Sequence, residues 1–154
     1  AEKVERLVPS ISAHASYDFT TVSASSLSLY ADEMIDLLAE VTLRPTFPEE
    51  ELDLYRRNTV ESLKFQRSQP PFLAAEQAAR HIYGTHPYAR VSPTATEIEK
   101  LTRQDLVRQH RRTLIPNNAI LIVVGDIKRD ELIAQLNDKF AGWGQGTLPL
   151  QTKF

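Results

Sequence analysis

The chain has 154 residues, with 18 basic and 20 acidic side chains and no cysteine. This length is sufficient for a domain with a buried core, and the near balance of charge argues against a general affinity for nucleic acid or acidic membranes. The lack of cysteine excludes disulfides and thiolate chemistry and is tolerated in both the cytosol and the periplasm. The longest apolar run, residues 119–124, is far shorter than the ~20 residues of a membrane-spanning helix. We therefore expect neither a membrane span nor a nucleic-acid partner.

Residues 10–24 have the pattern of an extended chain. From Ile11 to Phe19 apolar side chains occupy every second position, which is typical of a strand with one buried face. The alternation shifts by one residue at Val22, which predicts a bulge or a turn near Thr20 or Thr21. Either two paired antiparallel segments or one long bent strand fits this pattern.

Two amphipathic helices are predicted next. Ser25 and Ser26 are candidates for the N-terminal cap of the first, which ends before Pro45. Its apolar stripe is Tyr30, Met34, Leu37, Leu38 and Val41. The second helix covers residues 48–69 and has three glutamates in its first turn, next to the positive end of the helix dipole. Its inward stripe is Leu52, Tyr55, Thr59, Val60 and Leu63.

The second half of the chain predicts three more helices and one strand. A helix from Phe72 to about Tyr83 ends at Gly84, and the segment 85–97, with three prolines, is interpreted as a long surface loop. Thr102 and Asp105 have the spacing of a reciprocal helix cap. The run at 119–124 predicts a strand that is covered on both faces or lies in the centre of the sheet. A last helix covers residues 128–140 with the inward set Leu132, Ile133, Leu136 and Phe140, and an extended linker follows. The order of elements indicates an α+β fold.

No self-contained active site is visible in these residues. The four histidines lack the spacing that places two metal ligands on one helix face: His14, His81, His86 and His110. There is no glycine-rich phosphate loop and no Gly-x-Ser-x-Gly nucleophile elbow. Composition and spacing alone therefore lead to an α+β domain without an identifiable catalytic group.

Four stretches carry a resemblance to a known family. They are RPTFPEEEL at 44–52, YGTHPYAR at 83–90, LTRQDL at 101–106 and NNAILIVVGDI at 117–127. In this order they resemble the insulinase family of zinc metallopeptidases, which includes pitrilysin and the mitochondrial processing peptidases. The resemblance implies a mainly antiparallel sheet packed against helices, in domains that assemble in twos or fours around a chamber where peptides are cleaved.

The same resemblance bears on zinc. In active members an inverted His-x-x-Glu-His motif supplies two zinc ligands and the general base, and a glutamate on a later helix supplies the third ligand. The register set by Pro70 puts that ligand position on Ser62 and a second carboxylate position on Tyr55. Glu61 is one residue off, which on a helix is a rotation of about 100°. We therefore expect no catalytic residue and no bound cofactor here, with Glu61 as the only substitute ligand.

Peptide binding and partners follow from the same resemblance. Ser12 and Ala13 lie in the strand along which a substrate peptide is expected to add as an extra strand, and such main-chain pairing needs no particular side chain. The expected partners are a peptide or unfolded protein substrate and a paired peptidase-like domain or subunit. We also expect self-association, because an incomplete sheet exposes apolar surface.

Three functions remain open on the sequence. The first is a non-catalytic partner or chamber-forming half, with residues 1–141 as part of a peptidase domain and residues 142–154 as a tail. The second is part of an active zinc endopeptidase whose inverted motif precedes Ala1 and whose third ligand is Glu61. The third is a structural or assembly subunit.

Overall fold

The computed structural model describes residues 10–148. These residues contain a two-stranded antiparallel sheet, β1 (Ser10–Ala15) and β2 (Thr20–Ser25), and six α-helices. The helices are α1 (Ala31–Leu43), α2 (Glu49–Arg67), α3 (Pro70–Tyr83), α4 (Ala95–Glu99), α5 (Arg103–Thr113) and α6 (Arg129–Lys139). The predicted α+β fold with an antiparallel sheet is confirmed. No helix in 10–148 combines the length and the apolar character needed to cross a bilayer.

The described residues divide into two compact units. One unit joins residues 10–46 to residues 111–148, and the other consists of residues 47–110. The first contains the hairpin, α1 and α6, whereas the second contains α2, α3 and α4.

The hairpin resolves the two alternatives for residues 10–24. β1 and β2 pair with Ser10 opposite Ser25 and Ala15 opposite Thr20, so two paired segments are present. The turn lies before the predicted position at Thr20 and Thr21, because Ser16 closes it. The Ser16 amide donates to the Phe19 carbonyl at 2.9 Å, and the Ser16 hydroxyl oxygen accepts from the Phe19 amide at 3.2 Å.

The start of α1 corrects the predicted cap. Ser25 ends β2, and a single 3₁₀ turn, Ser28–Tyr30, leads into the helix with no side-chain cap. The buried face is also rotated from the predicted stripe, since α1 contacts both β2 and α6. Its buried residues are Met34, Ile35, Ala39 and Thr42, while Val41 is exposed.

Helix α2 matches the prediction in most respects. It follows Pro48, carries three glutamates in its first turn, and buries Leu52, Val60 and Leu63. Tyr55 was predicted inward, but it is 52% exposed. The neighbouring Arg56 is turned inward instead, because its guanidinium donates to the Leu101 carbonyl at 3.0 Å.

The loop predicted at 85–97 contains a helix start. α4 is capped by Thr94 and Glu97, whose side chains each bond the other residue's amide. This Thr-x-x-Glu capping box begins a short helix despite the prolines before it. Ile98 of α4 packs with Val60 and Leu63 of α2 in a small apolar cluster.

The boundaries of α3 and α5 follow local signals. α3 begins at Pro70, two residues earlier than predicted, and ends at Gly84, whose φ of +57° favours glycine. At α5 the predicted reciprocal cap is present. The Thr102 amide donates to the Asp105 carboxylate at 2.9 Å, and the Asp105 amide donates to the Thr102 hydroxyl at 3.2 Å.

The predicted covered strand at 119–124 is wrong for the described part of the chain. These residues form no ladder with any other described segment, and Ile120, Ile122 and Val124 are 80–91% exposed. A strand exists only where another segment accepts and donates its backbone hydrogen bonds. The β-branched run has the propensity to form a strand, but no described segment pairs with it through backbone hydrogen bonds.

Helix α6 makes polar contacts with α1. The Lys139 ammonium lies 3.1 Å from the Asp36 carboxylate, and the Gln135 amide donates to the Asp32 carbonyl at 3.1 Å. Of the predicted inward set, Leu132, Leu136 and Phe140 are half-buried, and Ile133 is exposed. The predicted apolar face is therefore only partly covered.

The described part of the tail is attached to the segment before 119. The Trp143 indole N–H donates to the Leu114 carbonyl at 3.0 Å, and Asn117 exchanges two hydrogen bonds with the backbone of Gly146. The division of the chain at residue 142 stays a prediction.

Candidate functional site

The expected metal-binding position lies on the outer face of α2. Glu61 accepts a hydrogen bond from the Lys64 ammonium at 2.7 Å, and its side chain is 71% exposed. This contact and the charge of Glu61 raise the pKa of Lys64. Ser62 is exposed, and its hydroxyl accepts from the Gln66 amide at 3.3 Å. Tyr55, the second expected carboxylate position, is also exposed.

This donor set does not fit zinc. A serine hydroxyl is not one of the usual zinc ligands, which are thiolate, imidazole and carboxylate. The Glu61 carboxylate is already paired with a lysine, and no group of three His, Cys, Asp or Glu side chains within 10–148 is arranged to hold a metal ion. The described residues therefore offer at most one carboxylate toward such a site.

The residues of the expected peptide-binding strand lie together on β1. Ser12 pairs with Ser23 and Ala13 with Val22, and both β1 residues are exposed. In the described part of the chain β1 has β2 on one edge and no strand on the other. Its second edge therefore presents backbone donors and acceptors of the kind that pair with an added strand.

The histidines are not brought together into one site. His14 is on β1, His81 on α3 and His110 on α5. His86 belongs instead to an aromatic group with Tyr83 and Tyr88, in which its ring centroid lies 4.6 Å from that of Tyr88. Its Nδ1 accepts from the Tyr88 amide at 3.2 Å, which orients the imidazole.

Sequence reasoning missed a buried charge on α3. Glu76 is 5% exposed, and one carboxylate oxygen accepts from the Ser92 hydroxyl at 2.6 Å and from Arg67 at 3.2 Å. A buried carboxylate is normally paired and hydrogen-bonded, as here. The partners lie 9 and 16 residues away, so no local spacing pointed to them.

Comparisons with known proteins agree on one family. Residues 1–91 match the insulinase family, peptidase family M16, and residues 100–154 match the peptidase M16 inactive domain. An uncharacterized zinc protease of Mycobacterium leprae is 23% identical over 141 residues, which is 91% of this chain and 32% of that protein. A non-peptidase homologue of Helicobacter pylori is 24% identical over 147 residues, or 95% and 34%.

Solved structures show the same fold. The peptidase M16 inactive domain from Pseudomonas fluorescens superposes with a TM-score of 0.89 and 26% identity, over 99% of this chain and 38% of that one. A protease from Helicobacter pylori superposes with a TM-score of 0.82 and 22% identity, over 97% and 37%. The chain spans about a third of the length of the curated relatives that it matches. The chain belongs to the insulinase family, peptidase family M16, and has the fold of the peptidase M16 inactive domain.

Proposed function

We propose that the protein is a non-catalytic, peptidase-like half that pairs with a catalytic peptidase-like domain or subunit. Together the two halves enclose a chamber for peptide or unfolded protein substrates. The observation that carries the proposal is the state of α2. The helix keeps its packing through Leu52, Val60 and Leu63, but Ser62 occupies the expected ligand position.

The state of Glu61 weighs against the alternative of an active zinc endopeptidase. A side chain at 61 points about 100° away from one at 62, so it reaches the ligand position only if the helix register shifts. A shift by one residue would also turn the buried Val60 and Leu63 out of their cluster with Ile98. Burial of each such side chain contributes about 1.5–3 kcal/mol, which opposes the shift.

Peptide contact is proposed at β1. The residues in question, Ser12 and Ala13, offer main-chain groups along an edge that has no strand beside it within 10–148. Pairing of this type is independent of side-chain identity. The role therefore persists in a domain that performs no chemistry.

The proposed partner surface includes the segment 119–124. Its exposed side chains Ile120, Ile122 and Val124 are apolar, and an uncovered apolar surface of this kind is typical of an association interface. We propose that a paired domain or subunit covers it and that the polypeptide self-associates when no such partner is present.

The test is made on the full-length protein that contains this chain. Zinc is measured by mass spectrometry, and hydrolysis of an unfolded peptide is measured with and without the copurifying partner. We expect less than stoichiometric zinc at any site that includes α2, and Glu61→Gln is expected to leave both zinc content and hydrolysis unchanged. Glu51→Gln is the matched control, because Glu51 is exposed on the same helix.

Each alternative has its own outcome. Loss of zinc and of hydrolysis in Glu61→Gln but not in Glu51→Gln overturns the proposal in favour of an active endopeptidase. Copurification with a large membrane assembly, with no peptidase partner, overturns it in favour of a structural subunit.

A further inference from the structure

A cavity of about 400 Å³ opens beside the C-terminal end of α3. Its wall is formed by α3 and by residues 84–92, all within the 47–110 unit. The polar lining includes Glu76, Arg80 and Thr85, and the apolar lining includes Pro87 and Val91. The volume is within the range of small-ligand sites, about 300–1,000 Å³.

Glu76 contributes a buried carboxylate with one oxygen unused. Both of its hydrogen bonds, from Ser92 and Arg67, go to Oε1, and no group within 10–148 donates to Oε2. Because every fully enclosed side-chain nitrogen or oxygen in this part of the chain has a partner, Oε2 keeps a small contact with solvent, and Glu76 is one of the residues that line the cavity. An ionised carboxylate favours a donor at such an oxygen.

Arg80 contributes the positive charge that the lining leaves uncompensated. It lies one turn after Glu76 on α3, is exposed, and forms no side-chain hydrogen bond or ion pair with the described residues. The other lining guanidinium, Arg90, is paired with Glu97 at 2.6 Å, and Glu76 is paired with Arg67. An anionic group is therefore favoured at Arg80. A carboxylate suits this position because its two oxygens can accept two parallel N–H hydrogen bonds from one guanidinium.

We propose that this cavity binds the free C-terminus of a peptide. The terminal carboxylate pairs with Arg80, the last peptide N–H donates to Oε2 of Glu76, and the terminal side chain lies against Pro87 and Val91. Residues four apart on a helix are neighbours about 5–6 Å apart at Cβ, which suits a carboxylate and the amide next to it. The choice of a peptide among carboxylic acids rests on the proposed peptide-handling function.

The experiment measures binding to the full-length protein by isothermal titration calorimetry. The probes are N-acetyl-Ala-Leu, its C-terminal carboxamide, the same acid with an N-methylated leucine, propionate, and inorganic phosphate. We expect the acid to bind at least about tenfold more tightly than each of the other four, since a hydrogen bond to a charged group is worth about that factor. Arg80→Met is expected to abolish the preference for acid over carboxamide. Arg57→Met is the matched control, since Arg57 is exposed on α2 and lies outside the cavity.

Four results would overturn the assignment. They are equal affinity for acid and carboxamide, equal affinity for propionate or phosphate, an unchanged preference in Arg80→Met, and no detectable binding of the acid. Stoichiometric zinc at α2 would refute the proposed non-catalytic function but would not affect a measured preference for the acid at Arg80. Failure of the proposed function and failure of the proposed peptide site are therefore distinguishable.

Discussion

Replacing Leu63 by alanine should loosen α2 more than any exposed substitution on the same helix. Leu63 is 5% exposed and packs with Val60 and Ile98, so truncation removes buried methyl groups and leaves a cavity. Leu→Ala changes at buried sites cost about 2–5 kcal/mol. The cluster is small, and α4, which supplies Ile98, has only five residues and can shift toward the gap. We therefore expect a cost of about 2–3 kcal/mol, toward the lower end of that range.

Amide hydrogen exchange in the full-length protein measures this cost locally. A loss of about 2–3 kcal/mol in opening free energy accelerates exchange of α2 and α4 amides roughly 30- to 140-fold. Leu54→Ala is the matched control, because Leu54 is on the same helix and is 44% exposed, so its cost stays below about 1 kcal/mol. Equal acceleration in the two variants would refute the packing role assigned to Leu63.

Two further predictions concern the start of α5 and the exposed segment 119–124. The Thr102 hydroxyl and backbone, with the Arg108 guanidinium, hold the pKa of Asp105 below its ordinary value. Because the pKa of Asp105 is lower in the folded state than in the unfolded state, its ionised carboxylate stabilises the fold. This stabilisation is fully present above the unfolded-state pKa and is lost as the pH falls through the folded-state pKa. Thr102→Ala should raise the pKa of Asp105 in a carboxylate NMR titration and lower the free energy of unfolding by about 1 kcal/mol at pH 7. Gln104→Ala is the control and should change neither quantity. An unchanged pKa of Asp105 in Thr102→Ala would refute the cap. Ile122→Lys should reduce self-association of the 154-residue polypeptide in light scattering, because Ile122 is 80% exposed within the apolar segment; Glu51→Lys controls for charge, and a monomeric parent at high concentration would contradict the prediction.

Local signals were the part of the fold that the sequence predicted well. The cap of α5 depends on Thr102 and Asp105, which are three residues apart, and both appear as expected. The end of α3 at Gly84 depends on one residue that tolerates positive φ. The capping box of α4 was missed although Thr94 and Glu97 have the same three-residue spacing, because the surrounding prolines favoured a loop.

Features that depend on distant segments were not predictable in the same way. The apolar run at 119–124 has the composition of a strand, but a strand also needs a partner that composition does not specify. The inward turn of Arg56 depends on the Leu101 carbonyl, 45 residues away. At the candidate site, the family resemblance singled out Ser62 and Glu61, whereas the cavity at Glu76 depends on partners that only the fold brings close.

The division of the chain into two units has a consequence for the order of folding. The 47–110 unit is continuous, and its longer contacts, such as that between Arg56 and Leu101, span at most a few tens of residues, which favours earlier formation than in the other unit. The other unit must bring α1 and α6 together, as in the bond from Gln135 to Asp32, across 103 residues. Closing a flexible loop of that length costs about 2 kcal/mol more than closing a tenfold shorter one. Early folding of residues 47–110 shortens the flexible part of that loop, so the continuous unit should form first and lower the entropic barrier to assembly of the other.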